Sequence, residues 1–167
     1  MFFRRRPDRP PPPSVSDTLL ALVRDHMPDA DAGSHAVIAA VAGLVACVAY
    51  ADGEYHPNEK REVERLLGRV HDLPRNGVRA ISSLLETRIA ELARAEMHAH
   101  ARAMKEGAEP EARLEVLDVL MDLAASDGVL SVQETELLRR IAGSLGLSPD
   151  EYNAAQARHR DKLSVLR

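Results

Sequence analysis

The stretch Val48-Ala49-Tyr50-Ala51-Asp52-Gly53-Glu54-Tyr55-His56-Pro57-Asn58-Glu59 is matched, 75 residues later, by Leu123-Ala124-Ala125-Ser126-Asp127-Gly128-Val129-Leu130-Ser131-Val132-Gln133-Glu134. In both copies an apolar run ends in Asp-Gly, where glycine terminates a helix by adopting the left-handed conformation at little cost. In both a helix then restarts with Glu at its third position, the spacing of a capping box; Pro57 adds a favoured first helical residue. The flanks agree as well. Val45 and Val48 correspond to Leu120 and Leu123, and Leu66 and Val70 to Ile141 and Leu145. Two copies of one helix–turn–helix unit predict an all-α fold, internally duplicated about a pseudo-two-fold axis.

Outward from the repeat the period stays helical, with no sustained alternation that would mark a strand. Helices are expected at about 17–26 with Ser16 as N-cap, from Ser34 to about 51, at 57–70, 110–126, 132–145 and 149–162. The segment 78–104 reads as one long helical stretch whose second half, 93–103, is weakly amphipathic and is expected to be broken or frayed. Ser148-Pro149-Asp150-Glu151 is a full capping box. Residues 1–13 read as a disordered tail, because Pro10 to Pro13 remove backbone donors and favour polyproline II. Residues 14–167 then form one domain of seven to eight helices.

Composition supports helices. Only 3% of the 167 residues are aromatic, so the core must be built from Ala, Leu and Val, which favours close helix packing over sheets. Cys47 is the single cysteine, which excludes a disulfide framework and a multi-thiolate zinc site; inside an apolar helix it reads as a small core residue. The net charge of −4 is divided. Four arginines against Asp8 make residues 1–13 basic, and the 18 basic and 25 acidic residues that remain give the body −7. Such a body repels phosphate backbones, so no nucleic acid partner is expected. The Phe-Phe-Arg-Arg-Arg opening is the one place suited to contact with an anionic membrane. It lacks the order of a secretory signal, and Ala36–Ala51, sixteen uncharged residues diluted by alanine, is short for a span. A cytoplasmic protein is expected.

The candidate site follows from the repeat. Asp52, Glu59, Asp127 and Glu134 hold equivalent positions, and two turns meeting near the axis would bring four carboxylates together. Hard oxygen donors in that number suit calcium, magnesium or zinc. Asp-Gly followed by Glu also resembles the second half of an EF-hand loop. The first half fails, because its ligand positions fall on Val48 and Tyr50, and on Leu123 and Ala125. The competing reading gives the same acids a purely structural role, satisfying backbone donors at helix starts.

The paired Asp-Gly…Glu motifs, followed by Leu145-Gly146-Leu147-Ser148-Pro149-Asp150-Glu151-Tyr152, resemble the TerB-like family of tellurite-resistance proteins, a domain also found in the co-chaperone DjlA. The resemblance spans about residues 16–160 and implies a TerB-like helical domain with an acidic, metal-binding surface and a role in stress response. No His-Pro-Asp triad is present, so co-chaperone activity does not carry over.

Other signals are weaker. His98 and His100 point about 160° apart on a helix and cannot share a metal, while Glu96 and His100 are better read as a polar face than as ligands. His26, His35, His71 and His159 fall near expected helix ends, where capping accounts for them. There is no phosphate loop, nucleophile elbow or dinucleotide fingerprint. The expectation is a non-enzymatic binding module with protein partners and a divalent cation in the acidic cluster; the alternative is a structural interaction scaffold.

Overall fold

The computed structural model describes residues 11–95 and 97–165, with backbone only at Ala95 and beyond residue 160. The expected disorder of 1–13 therefore falls almost wholly outside the described residues, as does a pairing of Glu96 with His100. Eight helices follow in order: α1 (Val15–His26), α2 (Ala32–Ala49), α3 (Pro57–Leu67), α4 (Arg75–Ala95), α5 (Met97–Gly107), α6 (Pro110–Ala124), α7 (Val132–Ser144) and α8 (Pro149–Val165). No strand occurs among the described residues, and the fold is all-α.

Helix starts are set by which polar residue wins the cap. α1 begins earlier than expected because Ser14, not Ser16, is its N-cap. The Ser14 hydroxyl accepts the Asp17 N–H at 3.0 Å, and the Asp17 carboxylate accepts the Ser14 N–H at 3.1 Å. Ser16 has no acid three residues on and cannot close such a box. α2 likewise starts before Ser34, because Asp31 accepts the Ser34 N–H at 2.9 Å. The long segment 78–104 is two helices, divided within the stretch expected to break. α4 already carries a non-helical residue at Arg88 (φ −133°), and α5 begins anew at Met97. α3 stops at Leu67 rather than near Val70, and α8 runs on to Val165.

α2 is the centre of the molecule. Ala42, Leu44, Val45, Ala46, Cys47 and Val48 are all buried, and among the described residues α2 touches every other helix except α8. By length and composition it could cross a membrane, yet most of it is enclosed by the helices around it. Its small residues let neighbours approach closely. At Gly43 a Cβ would run into the ring of His100 on α5, so only glycine fits there. Leu19 and Val23 of α1, Ile81 and Leu85 of α4, and Leu117, Leu120 and Ile141 of α6 and α7 complete the core. Each fully buried Leu or Ile contributes roughly 1.5–3 kcal/mol.

One expected cap is a buried contact instead. His159 lies inside α8 with a side chain 3% exposed. Its Nε2 stands 3.4 Å from Asp118 and its Nδ1 3.2 Å from Asp122. These two aspartates are four apart on α6 and so share a face. Arg158 adds a 2.9 Å ion pair to Asp118, and together these contacts fix α8 on α6. A lone histidine late in a polar helix gives no signal of this, because its partners lie about 40 residues away.

Candidate functional site: an acidic cleft between matched turns

The two Asp-Gly turns repeat at the level of single hydrogen bonds. The Gly53 N–H is donated to the Tyr50 carbonyl at 3.0 Å, and the Gly128 N–H to the Ala125 carbonyl at 3.0 Å. Asp52 Oδ1 accepts the Glu54 N–H at 2.9 Å, and Asp127 Oδ1 accepts the Val129 N–H at 2.9 Å. Glu59 accepts the His56 N–H at 2.8 Å, and Glu134 accepts the Ser131 N–H at 2.7 Å. Both glycines have φ +87°, in the left-handed region. The expected equivalence at an offset of 75 therefore holds at the turns themselves.

All four sequence-predicted acids line one cleft of about 560 Å³, together with His56, Asn58, Ser126, Val129 and Ser131. Its walls come from the α2–α3 turn and the α6–α7 turn, so residues far apart in sequence face each other across it. Burial raises the Glu59 carboxyl above the usual carboxylate range, and the charges of Asp52 and Glu134 add to that against the His56 backbone N–H.

The capping residues differ between the copies. Ser131 completes its box, its hydroxyl accepting the Glu134 N–H at 3.1 Å. His56 instead turns its ring outward, with Nε2 3.3 Å from both Asp52 and Glu54. His56 is a cleft residue absent from the four acids expected there. The available signal was its position four residues after Asp52, close enough for the turn to fold the ring back.

Each of the four carboxylates thus holds one backbone amide; Asp52 sets its second oxygen 3.3 Å from the His56 ring, while Glu59, Asp127 and Glu134 each have a second oxygen able to take another partner. These oxygens, with the Asn58, Ser126 and Ser131 side chains, form a hard donor set of the kind that suits an alkaline-earth cation. As the side chains stand, no group of three or more His, Cys, Asp or Glu among the described residues is arranged to hold a metal ion. Ligation would need the free oxygens to move inward across the cleft.

Comparison with curated proteins and with solved structures gave no match. The family comparison did: residues 38–157 match the model of tellurite resistance protein TerB, a span that begins in α2, contains both Asp-Gly turns and ends in α8. The chain belongs to the TerB family.

Proposed function

We propose that the chain is a non-enzymatic, cytoplasmic binding module of tellurite-resistance and stress-response systems, and that its acidic cleft takes a divalent cation. The observation that carries the reading is the convergence of Asp52, Glu59, Asp127 and Glu134 on one cleft from two matched turns. Four carboxylates facing one cleft repel each other, and a cation relieves that repulsion. Calcium, magnesium and zinc are the candidates, with the carboxylate oxygens suiting calcium and magnesium and the His56 ring nitrogen suiting zinc. A protein partner fits the same face. Val129 on its rim and Val132 beside it are 67% and 78% exposed, unusual for large apolar side chains, and would be covered by a docked surface.

A second reading rests on a specific observation: each of the four acids already caps a backbone amide, as a scaffold with no ligand would require. One variant separates the two. Glutamine at the third helical position still reaches back to the cap N–H. Glu59→Gln with Glu134→Gln therefore keeps the caps and removes two charges. Calorimetric titration of the wild type with calcium, magnesium and zinc should give a saturable heat that this double variant loses while staying folded. A wild type that shows no heat with any of the three leaves only the scaffold reading.

A further inference from the structure

We infer that the open cavity adjoining the acidic cleft, lined by the end of α2, the end of α4 and one face of α7, binds a small molecule carrying a phosphate or carboxylate on an apolar body. It measures about 660 Å³, within the range of small-ligand pockets, and Asp52 forms the wall it shares with the cleft. Arg94 of α4 and Arg140 of α7 both line it, so two arginines from distant parts of the chain border one cavity.

Among the described residues both arginines are uncommitted. The carboxylate nearest Arg94 along its helix, Glu91, is paired with Arg88 at 2.8 Å. The one nearest Arg140, Glu136, is paired with Arg139 at 3.0 Å. Among the described residues neither Arg94 nor Arg140 makes an ion pair or side-chain hydrogen bond. Two acids stand in the lining: Glu136, which holds Arg139, and Asp52, which accepts the Glu54 N–H and faces His56. Guanidinium forks match phosphate and carboxylate oxygens in pairs, which a lysine ammonium does not.

The rest of the lining fixes the other half of the ligand. Leu137 is buried at the floor, Tyr50 presents an aromatic ring, and Val132 stands at the mouth 78% exposed. An apolar group seated there would cover Val132, and Gln133 adds an amide able to hydrogen-bond a polar substituent. The body charge of −7 disfavours a polyanion, which points to a small anion rather than nucleic acid.

The test is a titration of the full chain followed by amide NMR signals, with phenyl phosphate, benzoate, inorganic phosphate and benzylammonium as probes. Phenyl phosphate or benzoate should shift residues 50–53, 93–94 and 132–140 saturably, and the tighter of the two tells phosphate from carboxylate. Inorganic phosphate should bind at least about tenfold more weakly, for want of the apolar contact. Arg94→Gln with Arg140→Gln should weaken the better anion about tenfold or more at unchanged melting temperature, since both side chains are exposed. Lysine at both positions should restore part of the loss. Absence of saturable shifts with either aromatic anion, equal affinity in the double glutamine variant, or equal binding of benzylammonium would each overturn the inference.

Discussion

At the scale of single residues, Gly53 and Gly128 isolate backbone strain from packing. Each has φ +87°, and a Cβ at either would meet nothing within 4 Å. Alanine there suffers only the left-handed penalty, so Gly53→Ala or Gly128→Ala should each lower unfolding stability by about 1–2 kcal/mol, and asparagine by less. Equilibrium denaturation reads this directly. His100 offers a test in pH. It is 6% exposed against Gly43, its Nε2 stands 3.4 Å from the Ser16 hydroxyl, and burial pushes its pKa down from 6.5 to about 4. A histidine depressed in the folded state costs nothing above its unfolded pKa. As pH falls from 6.5 toward 4, the unfolded chain takes up the proton first and stability drops, by about 3 kcal/mol at most. His100→Leu should flatten that acid limb in denaturation curves measured from pH 7 to pH 4. The glycines were legible in the sequence, because Asp-Gly after an apolar run has one common meaning. His100 was not, because its burial depends on Gly43, 57 positions away, having no side chain.

At the scale of elements, the caps decide where helices begin, and sequence rules found those with a full box. Ser131 with Glu134 and Ser148 with Glu151 close as their spacing predicts. Ser131→Ala should cost about 1 kcal/mol in a melting or denaturant series, with the loss confined to α7 in hydrogen exchange. Ser14 and Asp31 were missed because each has a second polar residue two or three positions on that also reads as a cap; for Ser14 the acid at Asp17 decides, and for Asp31 the carboxylate reaching the Ser34 N–H does. The break between α4 and α5 was legible as weak amphipathicity over 93–103, whereas the kink at Arg88 inside α4 was not, since neither glycine nor proline marks it in the sequence. Helix α8 is held from its polar side by Asp118 and Asp122. His159→Ala should therefore increase exchange in α8 before the rest of the domain, since the ring is buried among α6 contacts.

At the scale of the whole molecule, the recurrence at 75 residues explains why two turns far apart in sequence carry the same hydrogen bonds and line one cleft. The all-α fold and the four acids were readable from that recurrence alone. The contribution of His56, and the exact distance the carboxylates keep, were not, because they depend on how the two turns pack. The account stands on the cleft taking a divalent cation. A ligand that binds only the folded state raises its stability by mass action, by about 2.7 kcal/mol at a hundredfold excess over its dissociation constant. The decisive measurement is the melting temperature of the wild type with millimolar calcium, magnesium, zinc or manganese, beside Asp52→Asn with Asp127→Asn. The account predicts a gain of several degrees with at least one ion, lost in the double variant. A wild-type melting temperature indifferent to all four ions would contradict it and leave the carboxylates as helix caps.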